Sequence, residues 1–153
     1  MFRRTNKPEC LKTFSVKDIH TNLKASDKYE AIRMAGQFLV DRGSVTPEYI
    51  DAMLKREELS TTYIGEGVAI PHGIGASRNC ILRSGLTVMQ FPEGVPFDEE
   101  TAYLVIGIAG TDDEHLPVLQ ALTGVMLDEE KLLAMKTTTN PKVIYKFISE
   151  AEI

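Results

Sequence analysis

The apolar run at residues 103–109, YLVIGIA, constrains the fold of this chain more than any other feature. Its side chains do not alternate between apolar and polar, as they do in a strand that has one face in solvent. Both faces of such a strand must be covered, and patterns typical of helices lie before and after it in the sequence. A central strand covered by helices on both sides predicts an α/β fold.

Two helices are predicted ahead of the strands. Asp27 and Glu30 fit a capping box, and apolar residues then recur on one face until Gly43. Pro47 suits the first position of a second helix, which the pattern carries to about Glu58. We therefore expect a helical hairpin.

The remaining elements follow in order. Strands are predicted at 68–70 and 85–91, with a turn at 92–94 before the run at 103–109. Three helices are predicted after it, with apolar positions between 116 and 126, a short segment at 129–135, and a terminal helix capped by Asn140. There is no repeat or linker, so we expect one domain over residues 16–153.

The N-terminal residues 1–15 are mixed and polar, contain Pro8 and show no periodicity. They predict an arm that is loosely ordered or lies along the surface. A chain of 153 residues can bury a core without a disulfide, so Cys10 and Cys80 are expected to be free thiols.

Charge and composition exclude several classes of protein. The net charge is −5, and no cluster of Lys and Arg extends beyond Arg3 and Arg4, which argues against nucleic-acid binding. The longest apolar run is about half of a membrane span, and the N-terminus has no apolar centre of the kind that a secretory signal needs. We expect a cytoplasmic protein that does not insert into the membrane.

Known cofactor and metal motifs are missing from the sequence. It has no phosphate-binding loop, no dinucleotide fingerprint, and no H-E-x-x-H or C-x-x-C motif. The histidines at 20, 72 and 115 do not have the spacing of metal ligands. We predict neither a cofactor nor a metal.

His72 is presented with unusual backbone control in the segment GEGVAIPHGIG, residues 65–75. Pro71 fixes its own φ, while Gly73 and Gly75 are expected to let a large partner reach the ring. A neutral imidazole, with an ordinary pKa of about 6.5, can attack phosphorus without a separate base. The alternative is a histidine that closes a strand and is hydrogen-bonded into a turn.

His115 is the second candidate. It follows the polar residues 111–114 and precedes Pro117, which suits only the first turn of a helix. A helix N-terminus attracts phosphoryl oxygens, although a histidine there can also be a capping or solvated residue. Because the strand at 103–109 leads into this helix, we expect His115 to lie near His72.

The motifs together resemble a known family. The run Arg56-Glu57 followed by TTYIGEGVAIPHG is similar to the active-site region of enzyme IIA components of the bacterial phosphoenolpyruvate-dependent sugar phosphotransferase system, mannitol/fructose class. The blocks EAIRMAGQFLV, FPEGVPF, LVIGIA and DEHLPVLQAL resemble its mannitol-specific branch. Residues 1–15 have no clear counterpart there.

The resemblance implies a fold, an activity and partners. The fold would be a mixed β-sheet with helices on both faces. The protein would accept a phosphoryl group on His72 from the phosphocarrier protein HPr and pass it to a cysteine of the cognate enzyme IIB, and through it to the membrane enzyme IIC. His115 would support the phosphoryl group.

Two further residues match this region. Arg56 matches an arginine whose planar fork suits phosphate oxygens, or it is a solvated residue at a helix end. Glu66 would orient the His72 ring, or serve only its turn.

Two other classes of protein stay open. One is a regulatory module whose binding depends on the phosphorylation state of the same histidine. The other is a metal-binding protein that uses His72, His115 and a carboxylate. The sugar, mannitol, rests on the resemblance alone.

Overall fold

The computed structural model describes residues 8–110 and 112–151, apart from the side chains of residues 112, 113 and 115. Its five strands are β1 (Ile19–His20), β2 (Tyr63–Gly65), β3 (Val68–Ala69), β4 (Gly85–Phe97) and β5 (Glu100–Ala109). Its α-helices are α1 (Glu9–Lys12), α2 (Lys28–Asp41), α3 (Glu48–Leu59), α4 (Asp112–Met126), α5 (Glu129–Thr137) and α6 (Pro141–Ser149). Within the described ranges, no helix combines the length and apolar character needed to cross a membrane.

The strands form one mixed sheet in the order β1-β4-β5-β3-β2. β4 and β5 form an antiparallel hairpin, as do β2 and β3, whereas β1 runs parallel to β4 and β3 runs parallel to β5. β5 is therefore the central strand, as its apolar run predicts. The expected single-domain α/β fold with a mixed sheet is confirmed.

Alternate residues of β5 enter two separate cores. Leu104, Ile106 and Ile108 pack in one core, which α1, α4, α5 and α6 cover. Val105 and Ala109 pack in the other core, under α2 and α3. Helices thus lie on both faces of the sheet, which explains why the strand has no polar face.

The predicted helical hairpin is present. Asp27 caps α2 by accepting a hydrogen bond from the backbone N–H of Glu30 at 2.9 Å. The Glu30 carboxylate accepts from the N–H of Ser26 at 2.7 Å, so the reciprocal bond of the capping box lies one residue earlier than expected. α3 begins directly after Pro47 and packs against α2.

The turn predicted at 92–94 is wrong, because β4 continues through it to Phe97. The pairing with β5 shifts register between Gln90 and Val95, and Gly94 in this bulge has φ +82°. A bulge leaves residues unpaired, so it accommodates Pro92, which has no N–H to donate. The chain reverses only after Phe97, where Asp98 has φ +60°.

The predicted N-terminal arm must be shortened. Residues 1–7 lie outside the described part of the chain, but Cys10, Leu11 and Phe14 are at most 8% exposed and belong to the core. Residues 9–14 therefore pack against the core through these apolar side chains. The sequence did not indicate this, because so few apolar residues produce no periodic pattern. Cys10 and Cys80 are free thiols, as expected.

Candidate functional site

His72 lies at one edge of the sheet because it extends the parallel pairing of β3 with β5. Val68 pairs with Leu104, and an isolated bridge pairs His72 with Ile108 in the same register. β5 ends one residue after Ile108, and α4 begins soon afterwards. The structure thus brings His72 to the place where the chain enters α4.

The imidazole of His72 is half-buried, and its Nδ1 lies 2.8 Å from the carbonyl oxygen of Ile70. A carbonyl can only accept, so the neutral ring carries its proton on Nδ1 and donates it to Ile70. The lone pair is then on Nε2. This contact fixes both the tautomer and the orientation of the ring.

An open cleft of about 410 Å³ surrounds the ring. One part of its lining is polar and the rest is apolar. On the apolar part, Leu116 is 61% exposed. The polar lining residues beside His72 are Arg56, Thr61 and Thr62, and the apolar ones are Ile64, Ile70, Ile108, Leu116 and Leu119. The cleft can hold a small anion and present an apolar surface to a partner.

Arg56 lies in the last turn of α3 and reaches this cleft. Its Nη1 donates to the carbonyl of Ser60 at 2.7 Å and to the Ser60 hydroxyl at 3.2 Å. Among the carboxylates whose side chains the structure describes, which leaves out those of Asp112 and Asp113, none forms an ion pair with its guanidinium. A guanidinium in the same cleft as His72 suits an incoming anion.

Glu57, to which the sequence motif assigned no role, holds the threonines that line the cleft. Its carboxylate is buried and accepts from the Thr61 hydroxyl at 2.5 Å, the Thr62 hydroxyl at 2.6 Å and the Thr62 N–H at 2.9 Å. Lys28 balances its charge, with Nζ at 3.2 Å. The sequence did contain a signal for its burial. Glu57 lies four residues after the apolar Met53, and this spacing places both on the same face of α3, which is buried.

Tyr49, which was likewise assigned no role, lies behind His72. Its ring is buried, and its hydroxyl accepts from the N–H of Gly73 and donates to the carbonyl of Ile108, both at 2.8 Å. Burial raises the pKa of this phenol to about 12, so it is protonated at neutral pH.

Gly73 packs directly on Tyr49, since a Cβ at position 73 would lie 2.5 Å from Cε1 of the tyrosine. Gly73 therefore makes room for a buried ring, and the expectation that it opens a path for a partner is wrong. Gly75 does have open space, with no heavy atom of the described residues within 4 Å of an added Cβ.

The backbone of His115 lies in the first turn of α4, as predicted, and its side chain lies outside the described part of the structure. Leu116 and Leu119 of the same helix line the cleft with His72. Pro117 lies in the second turn, one turn later than expected, because α4 begins already at Asp112. The first two turns of α4 therefore lie beside His72.

Glu66 is placed away from the His72 ring. It is exposed, has φ +54° and occupies the turn between β2 and β3. The chain runs extended from this turn to His72 at ~3.3 Å per residue, which separates the two by on the order of 15 Å. The oxygen that orients the ring belongs to Ile70, and the geometry favours the alternative that Glu66 serves the turn.

His20 has a structural role. Its ring stacks on Phe38 with the ring centroids 3.6 Å apart, and burial lowers its pKa. Among the described residues, no group of three or more His, Cys, Asp or Glu side chains is placed to hold a metal ion.

Comparison with known proteins places this arrangement in a family. The family model described as "Phosphoenolpyruvate-dependent sugar phosphotransferase system, EIIA 2" matches residues 12–151. The chain is 40% identical over 139 residues to the "Mannitol-specific phosphotransferase enzyme IIA component" of Staphylococcus aureus, covering 91% of this chain and 96% of that protein.

A second relative is much longer than this chain. The "PTS system mannitol-specific EIICBA component" of Pasteurella multocida is 42% identical over 135 residues, which cover 86% of this chain but only 22% of that protein. The chain thus spans about a fifth of its length.

A solved structure has the same fold. The Escherichia coli structure titled "Complex of enzyme IIAMTL and phosphorylated enzyme IIBMTL" superposes with a TM-score of 0.85 at 40% identity, covering 90% of this chain and 97% of that one. Similarity of sequence and fold over nearly the whole described structure shows that this chain belongs to the EIIA 2 family of the phosphoenolpyruvate-dependent sugar phosphotransferase system.

Proposed function

We propose that this protein is a phosphocarrier that accepts a phosphoryl group from HPr on Nε2 of His72 and passes it to a cysteine of the cognate enzyme IIB. One observation carries the proposal most: the Nδ1–H of His72 donates to the carbonyl of Ile70, so the nucleophilic lone pair of the neutral ring is on Nε2. The family to which the chain belongs supports the same chemistry.

The transfer step follows from the state of the ring. The Nε2 lone pair attacks phosphorus, the N–P bond to His72 forms, and the bond from phosphorus to the donor breaks with its electron pair leaving on the donor. The ring becomes cationic while Nδ1 keeps its proton, so the hydrogen bond to the carbonyl of Ile70 strengthens as charge develops. In the second step a cysteine thiolate attacks the same phosphorus, and Nε2 recovers its lone pair.

The surroundings of the ring supply the charge stabilisation that phosphoryl transfer needs. We assign Arg56 to the phosphoryl oxygens, because its guanidinium lines the same cleft. The hydroxyls of Thr61 and Thr62 are already engaged with Glu57 and shape this wall. His115, at the start of α4, would add a donor where the helix dipole also favours an anion.

The partners and the sugar follow from the relatives. A solved relative forms a complex with phosphorylated enzyme IIB for mannitol, so we propose that the cognate IIB docks over the exposed Leu116 beside His72. The names of the short Staphylococcus aureus relative and the long Pasteurella multocida relative both specify mannitol, which we propose as the sugar. The protein would act in the cytoplasm, upstream of enzyme IIC.

The test is phosphorylation in a purified system. Incubation with phosphoenolpyruvate, enzyme I and HPr should add one phosphoryl group, seen as intact mass at alkaline pH. His72→Ala should take up none, and His20→Ala should match the parent because His20 is stacked in the fold away from the cleft. Labelling of His72→Ala at the parental rate would reject the proposal.

A further inference from the structure

The hydroxyl of Tyr49 takes part in the backbone pairing of His72 with Ile108. In a parallel bridge, the N–H of Ile108 donates to the carbonyl before His72, and the N–H after His72 donates to the carbonyl of Ile108. The first of these bonds is present, from Ile108 N–H to Pro71 at 2.9 Å. The two groups of the second bond, on Gly73 and Ile108, both bind the Tyr49 hydroxyl at 2.8 Å.

Tyr49 therefore inserts one hydroxyl into the ladder beside His72. Its ring is 1% exposed and packs against Gly73, so the hydroxyl cannot move independently of the backbone. The peptide group after His72 is fixed by Tyr49, and the carbonyl before it is fixed by Ile108. Both backbone neighbours of the imidazole are thus tied to β5.

We propose that Tyr49 is a positioning residue for phosphoryl transfer, which it serves by fixing the backbone of His72 from behind. This inference rests on the proposed function of His72. Tyr49 is not among the residues that line the cleft, so it acts through the peptide group of Gly73 and not on the phosphoryl group itself.

The expected effect follows from the geometry of in-line transfer. Without the hydroxyl, the N–H of Gly73 and the carbonyl of Ile108 must pair directly or admit water, and either change moves the backbone at His72. A misplacement of ~1 Å costs up to about 100-fold in rate when the reacting atoms must be aligned. We expect kcat for transfer from HPr to fall about 10- to 100-fold in Tyr49→Phe. The docking surface is unchanged, so KM for HPr should stay close to the parental value.

Tyr63→Phe is a matched control. The Tyr63 hydroxyl also accepts from a glycine N–H, that of Gly67 at 2.9 Å, but it does so in the turn between β2 and β3, at the other end of β3 from His72. Each variant removes a tyrosine hydroxyl that accepts a hydrogen bond from a glycine N–H. The transfer rate of each variant is divided by its fraction of folded protein at the assay temperature. Urea unfolding followed by circular dichroism at that temperature gives this fraction.

A second readout follows the ring directly. In the parent, ¹⁵N spectra of the His72 imidazole should show the proton on Nδ1, because Ile70 accepts it. Because Tyr49→Phe frees the peptide group after His72, the ring can move away from the carbonyl of Ile70, so the tautomer population should shift toward Nε2–H; Tyr63→Phe should cause no shift. Since this readout needs no phosphoryl donor, it separates the two claims: a parent that takes no phosphate rejects the proposed function, whereas the spectra still test the role of Tyr49.

Two results would overturn the inference: a parental kcat in Tyr49→Phe, or an unchanged tautomer population at His72. If Tyr49→Phe does not fold, 4-aminophenylalanine at position 49 replaces it, since its amino group both donates and accepts. That variant should keep kcat near the parental value, and a loss as large as that expected for Tyr49→Phe would contradict the role of the hydrogen bonds.

Discussion

Gly73→Ala tests how tightly the segment that carries His72 is packed. A Cβ at position 73 would lie 2.5 Å from both Tyr49 Cε1 and Ser77 Oγ, and 2.9 Å from Tyr49 Cζ. Carbon atoms in contact are normally ~3.5–4.0 Å apart. The tyrosine ring is buried and hydrogen-bonded at its hydroxyl, so the backbone at 72–73 must move instead.

The magnitude follows from overpacking, which typically costs about 1–3 kcal/mol in a well-packed core. For a domain of this size, each kcal/mol lowers Tm by roughly 2–4 °C, so Gly73→Ala should lower Tm by roughly 2–12 °C. Gly75→Ala is the control, because its Cβ meets no heavy atom of the described residues within 4 Å. Gly75→Ala should leave Tm unchanged or raise it. Alanine lowers the conformational entropy of the unfolded chain, which stabilises the folded state by up to about 1 kcal/mol.

Thermal unfolding followed by circular dichroism measures both variants, and the phosphorylation rate from HPr is measured well below Tm. Gly73→Ala should be less stable and slower, because its backbone shift displaces His72, whereas Gly75→Ala should match the parent in rate. Equal Tm values and equal rates for the two variants would refute the packing of Gly73 against Tyr49.

Three further predictions concern other parts of the site. Glu57→Gln should lower the free energy of unfolding, measured by urea denaturation, by about 1–3 kcal/mol, because buried Lys28 loses one of its two charged partners and keeps Asp98; an unchanged midpoint would contradict this. His115→Ala should accept phosphate about 100-fold more slowly but still on His72, with His115→Gln in between; phosphate recovered on His115 would reject its supporting role. Burial raises the pKa of Cys10 above its ordinary value of 9.0, so the unfolded chain loses this proton first and stability should fall as pH rises above 9. Cys10→Ala should reduce that loss, and an identical pH profile would count against it.

Sequence patterns predicted the elements whose side chains follow one period over many residues. The run at 103–109 identified the central strand, and caps at Asp27 and Asn140 identified two helix starts. The patterns failed where a few contacts decide the structure. β1 has only 2 residues, too few for alternation, and β4 passes through Pro92 by a bulge that only its pairing with β5 reveals.

The candidate site divides in the same way. His72 and Arg56 were predicted because local chemistry or motif position marks them, and both line the cleft. The roles of Tyr49 and Glu57 were missed because they come from contacts across the fold, with Ile108 in one case and Lys28 in the other. Such contacts join residues 59 and 29 positions apart, and no local pattern encodes them.

The most direct test of the central claim is to locate the phosphoryl group on the ring. Protein labelled with ¹⁵N at histidine is phosphorylated through HPr and studied by ¹H–¹⁵N and ³¹P NMR at alkaline pH. Since Ile70 holds the Nδ1 proton, the phosphorus should be bonded to Nε2 of His72, with Nδ1 still protonated. Phosphorus bonded to Nδ1 of His72, or to another residue, would contradict the account.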